Sequence, residues 1–76
     1  MNKVRRKSLQ EIQEQLDSLR EQLESLKDEE EEARDNIPES LQETERYEKA
    51  DAACDNLNSA IDSLEEVVGY IEEAMA

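Results

Sequence analysis

Apolar residues recur at alternating intervals of three and four positions on both sides of the single proline, Pro38. This spacing brings them to one side of an α-helix, as in the core positions of a coiled coil. The sequence therefore predicts an all-α fold with two long amphipathic helices. The first repeat consists of Leu9, Ile12, Leu16, Leu19, Leu23 and Leu26, and the second of Tyr47, Ala50, Cys54, Leu57, Ile61, Leu64, Val68, Ile71 and Met75.

Pro38 separates the two helices because proline lacks an amide hydrogen and disfavours helical geometry in the residue before it. We predict helix 1 over about residues 3–36, a turn over about 36–40 and helix 2 over about 40–75. One short turn between two long helices indicates an antiparallel, coiled-coil-like hairpin, so residues 1–76 should form a single domain.

The start of helix 2 has two candidate capping signals. Ser40 stands three residues before Glu43, which is the spacing of a capping box, in which each side chain bonds a free amide at the helix start. Asn36 and Glu39 have the same spacing and would place Pro38 within the first turn. Either signal would begin a helix close to the proline.

Aligning the two repeats in antiparallel fashion predicts which residues face each other. Paired residue numbers should sum to about 80, so that large side chains meet small ones. In this register Leu26 lies opposite Cys54, and Lys27 lies beside Asp51. The second pair is a surface ion pair, which by itself contributes little to stability.

Helix 2 carries a second apolar row next to its main repeat. Ala53, Ala60, Val67 and Ala74 are seven residues apart and so line up along the helix. The combined stripe is wider than one partner helix covers, and a domain of this size buries little surface on its own. We therefore predict that these four residues form an oligomer interface in a homodimeric four-helix bundle, or in a bundle that another protein completes.

The formal charge of −13, from 22 acidic and 9 basic residues, limits the partners of this protein. It argues against direct binding to nucleic acid or to an anionic membrane, since both reward lysine and arginine, and it favours a basic protein surface. No apolar segment has the length of a signal peptide or a membrane span, and the single cysteine suits a reducing compartment. We expect a cytoplasmic protein.

The densest acidic segment surrounds the predicted turn, where residues 28–51 hold eleven acids and three bases. One interpretation is a solvated end that keeps the rod soluble. The other is a negative surface that competes with nucleic acid for a basic groove on another protein. The candidate partner-binding residues in this segment are Glu29, Glu30, Glu31, Glu32, Asp35 and Glu39.

Tyr70 is a further candidate for partner contact. It lies outside the main repeat of helix 2 and next to Gly69, and a glycine lowers helix stability by about 1 kcal/mol relative to alanine. A tyrosine beside bare backbone suits a contact hot spot, although an ordinary, partly covered surface tyrosine has the same pattern.

The sequence offers no catalytic or metal-binding constellation. It contains no histidine, the commonest general base, and its single glycine cannot make a glycine-rich phosphate loop. A calcium loop would need acids around a central glycine. Cys54 occupies a core position, where cysteine acts as a small hydrophobic residue. We therefore expect no enzyme activity, no metal and no cofactor.

Two segments give the chain a specific pattern beyond its apolar repeats: RRKSL at residues 5–9 and EEEEARDNIPESLQETERYEKA at 29–50. Together they resemble small acidic helical-hairpin proteins of bacteria and their phages. The resemblance extends over nearly the whole chain, and DNIPESLQ at the turn is its most specific part. It implies no particular activity, but it favours a gene carried by a mobile element, where very small acidic proteins often inhibit host machinery.

These observations favour a non-enzymatic interaction module that presents an acidic surface to a basic partner. Its most specific form is a phage or mobile-element inhibitor of a nucleic-acid-binding defence protein, acting in the cytoplasm of the bacterial host. The alternative is a structural or scaffolding coiled-coil protein that self-assembles through its apolar face. The two hypotheses differ in the surface that matters, which is the acidic turn in the first and the apolar row of helix 2 in the second.

Overall fold

A computed structural model describes all of residues 1–76 and shows two long helices joined by a short bend. Helix α1 spans Lys3–Asp35, a single turn of 3-10 helix spans Glu39–Leu41, and helix α2 spans Glu45–Met75. The chain forms no strand. The two helices pack side by side, which confirms the predicted all-α hairpin. The molecule is a rod of 59 × 15 × 13 Å.

Local chemistry sets the two ends of α1. Asn2 caps its N-terminus, where the side-chain Oδ1 accepts a hydrogen bond of 2.8 Å from the backbone amide of Arg5. At the other end, the backbone amide of Asn36 donates to the carbonyl of Glu32 and closes the last turn. Pro38 follows in an extended conformation, with φ −55° and ψ 143°, so the helix cannot continue.

Helix α2 begins later than the sequence pattern indicates, because the bend is wound more tightly than an α-helix. The amide of Leu41 donates to the carbonyl of Pro38 at 2.8 Å, and two further amides of the bend also bond carbonyls three residues back. Ser40 lies inside this 3-10 turn and makes no capping bond. The α-helical geometry therefore starts only after Thr44, which occupies the N-cap position.

The main repeat of α2 faces α1, as predicted. All nine of its residues are buried or half-buried, and in a two-helix molecule only α1 can cover them. Within this repeat, Cys54 and Ile61 are the most deeply buried, and Ile37 is buried beneath the bend. No other residue is fully buried, so the hairpin has a small core for its length.

The repeat of α1 is divided between two surfaces, which corrects the prediction that all six residues lie on the seam with α2. Three of them are half-buried, and the other three expose 46 to 54% of their surface. The contact with α2 instead alternates between the half-buried leucines and long polar side chains. The half-buried leucines are Leu9, Leu16 and Leu23, the exposed residues are Ile12, Leu19 and Leu26, and the polar residues at the contact are Gln13, Arg20, Lys27 and Arg34.

Polar contacts between the helices accompany this rotation of α1 and indicate the register. Three of them recur along one side of the hairpin, and the paired residue numbers sum to 85, rather than to the predicted value of about 80. We call them the polar ladder. It consists of Gln13 Nε2 to Glu72 Oε1 at 2.8 Å, Arg20 Nη1 to Glu65 Oε1 at 3.5 Å, and Arg34 Nη1 to Asp51 Oδ1 at 3.0 Å.

Two predicted pairings are therefore wrong. Asp51 pairs with Arg34 instead of Lys27, whose ammonium group lies near a neighbouring carboxylate within α1. Leu26 is 54% exposed, so it does not cover Cys54, which is almost completely buried. Both differences follow from the observed packing, in which the ladder pairs sum to 85 and the row of Leu26 faces solvent.

Candidate interaction surfaces

The hairpin has one apolar face and one polar face. In α1, the exposed row containing Leu19 and the ladder residue Arg20 lie on opposite sides of the seam leucines. In α2, Val67 and the ladder residue Glu65 likewise lie on opposite sides of the seam. Since the ladder closes one side of the hairpin, the two remaining rows meet on the other side. This apolar face consists of Ile12, Leu19, Leu26 and Ala33 from α1, and of Ala53, Ala60, Val67 and Ala74 from α2.

The apolar face is exposed along its length. Ile12, Leu19 and Leu26 are each about half exposed, and Val67 exposes 42% of its surface. Of the four predicted interface residues of α2, only Ala53 is half-buried, and the other three are exposed. The structure thus places the predicted row of α2 beside a row of larger side chains from α1. Sequence reasoning missed this second row because it assigned those residues to the seam.

The flanks of the apolar face carry no charge over its central part, although 41% of the residues in the chain are charged. Charged groups are depleted at the centres of protein interfaces, and solvated faces normally have no reason to exclude them. The flanking residues are Ser8, Gln15 and Gln22 on α1, and Asn56, Ser63 and Tyr70 on α2.

Tyr70 stands at the edge of the apolar face, one turn from Val67, with 70% of its surface exposed. The structure therefore associates this predicted contact residue with the apolar face and places it far from the acidic bend. Its neighbour Gly69 has open space where a side chain would be. A large aromatic side chain at the rim of an apolar face is typical of residues that contribute to interfaces.

The exposed surface is large for a protein of this mass. A compact monomer of 8.8 kDa exposes about 4,800 Å² on average, whereas this hairpin exposes 5738 Å². The excess of roughly 900 Å² goes with the elongated shape of the rod, which measures 59 × 15 × 13 Å. The hairpin therefore has surface to bury against another molecule.

The six predicted partner-binding carboxylates at the acidic bend fall into two groups, which differ in their exposure to solvent. Glu29, Glu32, Asp35 and Glu39 are exposed, and among these only Asp35 is in an ion pair, with Arg34 at 3.1 Å. The other two, Glu30 and Glu31, are half-buried and lie on the side of α1 that approaches Cys54. The exposed group is available to a partner, and the half-buried pair belongs to the packing of the bend.

Cys54 is the buried nucleophile candidate, and its surroundings disfavour the thiolate. Burial raises the pKa of its thiol above the ordinary value of 9.0, and Glu31, Glu30 and Asp51 raise it further, while Arg34 acts in the opposite direction. At neutral pH the side chain is therefore a neutral thiol with no access to solvent, which makes it a poor nucleophile. Its role is to fill the seam between the helices.

A shallow cavity of about 350 Å³ lies at the bend end of the apolar face. It is open to solvent, and Lys49 on its wall is in an ion pair with Glu45 at 3.0 Å. No group of three or more metal-ligating side chains converges there or elsewhere in the molecule. The residues that line the cavity are Glu30, Ala33, Ile37, Arg46, Lys49 and Ala50.

Neither helix combines the length and the apolarity that crossing a membrane requires. Comparison of the chain with protein-family models, with curated proteins and with solved structures finds no match. Two surfaces of the hairpin, the apolar face and the acidic bend, are therefore the features that bear on function.

Proposed function

We propose that this protein is a non-enzymatic assembly module, in which two hairpins associate through their apolar faces and form a four-helix bundle. The observation that carries the proposal is the apolar face, with its exposed Ile12, Leu19, Leu26 and Val67 and its uncharged flanks. Burial of such a face removes apolar surface from water and supplies the core that a two-helix rod lacks. Every acidic residue of the polar ladder stays in solvent in this arrangement.

Sedimentation equilibrium of the wild-type protein tests self-association. We expect a species of twice the chain mass of 8.8 kDa at tens of micromolar protein, because a second copy would cover the exposed apolar face. The helical circular dichroism signal should decrease on dilution, since the helices of a separated hairpin lose the packing against the second copy that stabilises them. A mass of one chain at hundreds of micromolar protein would contradict the proposal.

The acidic bend supports a second function, which is recognition of a basic partner. Glu29 and Glu32 are exposed and unpaired near the C-terminus of α1, where the helix dipole disfavours negative charge by about 0.3–1 kcal/mol per residue. The two glutamates therefore do not stabilise the fold at this position. Binding of a cationic partner would explain why they are there. In the narrower form of this proposal, the partner is a nucleic-acid-binding protein and the gene belongs to a phage or mobile element, as the DNIPESLQ resemblance indicates.

Replacing Glu29, Glu32 and Glu39 together by glutamine tests this second function. We expect the affinity for an arginine-rich peptide, measured by fluorescence anisotropy, to fall by roughly 3- to 160-fold, since three exposed charge contacts contribute about 0.2–1 kcal/mol each. Helix content should remain or increase because charge is removed from the end of α1. The matched control neutralises three exposed acids of α2, with Asp55 and Asp62 changed to asparagine and Glu66 to glutamine. Equal weakening by both triple variants would contradict a specific role for the bend.

A further inference from the structure

We infer that the two hairpins of the bundle lie antiparallel, with their bends at opposite ends and the two copies of Leu19 beside the two-fold axis. This inference rests on the proposed self-association and specifies its geometry. When identical apolar faces pack around a two-fold axis, two arrangements exist. In the first, the axis runs along the rods and both bends lie at the same end. In the second, the axis crosses the rods, and each bend lies beside the open end of the other copy, where the two chain termini are.

The charge distribution along the rod favours the second arrangement. The bend segment, residues 28–51, has a net side-chain charge of −8, from eleven acids and three bases. The open end is positive, because the four bases of residues 1–8 outnumber the two acids of residues 69–76. Packed helices are about 8–10 Å apart, which is comparable to the distance over which physiological salt screens charge, so the two ends interact across the interface. Bends at the same end repel, and a bend against an open end attracts.

The apolar pattern is compatible with such an axis. Ile12 and Leu26 are equally distant in sequence from Leu19, so crossing the two copies of α1 at Leu19 places Ile12 of one copy opposite Leu26 of the other. In α2, the same operation brings Ala60 of one copy opposite Val67 of the other. The register of the polar ladder puts these two crossing points within about one helical turn along the rod. One axis therefore serves both rows.

The ends of the interface then carry opposite charges. Arg5 continues the row of Ile12 toward the open end, and its side chain is exposed. In the antiparallel arrangement it lies over Ala33 of the other copy, one turn from the exposed Glu29. Each interface contains this contact twice because of the two-fold symmetry.

Disulfide trapping tests the arrangement in a Cys54→Ala background, which leaves no other thiol. Leu19→Cys is expected to form an intermolecular disulfide in oxidised glutathione, because the antiparallel axis brings the two copies of this residue together. The matched control is Ser18→Cys, which adds an exposed thiol on the outer side of α1. We expect the Leu19→Cys variant to cross-link roughly tenfold faster or more, as the effective concentration within the dimer is in the millimolar range.

A mixture of the Leu19→Cys and Val67→Cys chains, each also carrying Cys54→Ala, distinguishes the outcomes, because the ladder register places Leu19 level with residue 66 of α2. If the bends are at the same end, α1 of one copy lies over α2 of the other, and the mixed disulfide dominates over the Leu19→Cys homodimer. That result would overturn the antiparallel inference and preserve self-association. A sedimentation mass of one chain, with no cross-linking above the Ser18→Cys control, would overturn the proposed assembly itself. Circular dichroism confirms that each variant keeps the helix content of the wild type.

Discussion

Leu19→Glu is expected to convert the protein from a dimer to a single chain, with an increase of at least about 100-fold in the dissociation constant. Leu19 lies at the centre of the apolar face and is half exposed in the hairpin, so a glutamate there is solvated in the monomer. Dimerisation would bury two unpaired carboxylates, each at a cost of several kcal/mol. Sedimentation equilibrium measures the loss directly.

Ser18→Glu is the matched control for this change, since it adds the same charge at the adjacent position, on the outer and exposed side of α1. It is expected to leave the dissociation constant within a few-fold of the wild type, because the added charge remains in water. Equal dissociation of both variants would mean that total charge, rather than the apolar face, governs association. Retention of the dimer by Leu19→Glu would show that a different surface mediates it.

Ile61→Ala is expected to lower the free energy of unfolding by about 2–5 kcal/mol. Ile61 is one of three fully buried side chains, and it lies in the seam between the helices, where its removal leaves a cavity that a thin rod cannot easily fill. Such a loss is a large fraction of the stability of about 5–15 kcal/mol that is typical of small domains. Urea denaturation followed by circular dichroism at one fixed protein concentration provides the measurement.

Val4→Ala is the corresponding control, because Val4 exposes 76% of its surface and is expected to change the stability by no more than about 0.5 kcal/mol. The buried thiol of Cys54 offers a second readout, since its reaction with an aromatic disulfide reagent requires the helices to separate. The reaction should accelerate in Ile61→Ala and remain slow in Val4→Ala. Similar stability losses in the two variants would contradict the seam described here.

The proposed antiparallel bundle would also affect how the acidic bend meets its partners. A dimer of this kind carries one bend at each end of a rod whose hairpin is 59 Å long, so it presents two identical negative surfaces that point in opposite directions. Two basic partners, or two distant basic sites on an elongated assembly, would then bind one dimer, with a gain in avidity where both sites are engaged. Self-association and acidic recognition are therefore compatible functions of one molecule.

Features that depend on neighbouring residues could be predicted from the amino-acid sequence alone. Pro38 ends α1 whatever the rest of the chain does, because its missing amide and fixed φ act locally. The main repeat of α2 likewise identified its buried side, since its flanking rows differ clearly in polarity and leave one choice of seam. The apolar row from Ala53 to Ala74 was also visible as a second stripe.

The side of α1 that faces α2 is known only from the packing of the two helices. The six apolar residues of α1 occupy two adjacent rows, and the spacing alone treats both as core. In the packed hairpin, Arg20 and Arg34 reach carboxylates on α2 that are distant in sequence, and the row of Leu19 lies on the opposite side of the seam, toward solvent. The tight winding of the bend after Pro38 is a similar case, because amides of the bend bond carbonyls three residues back and delay the start of α2. Periodicity describes one helix at a time, whereas register and rotation are properties of the pair.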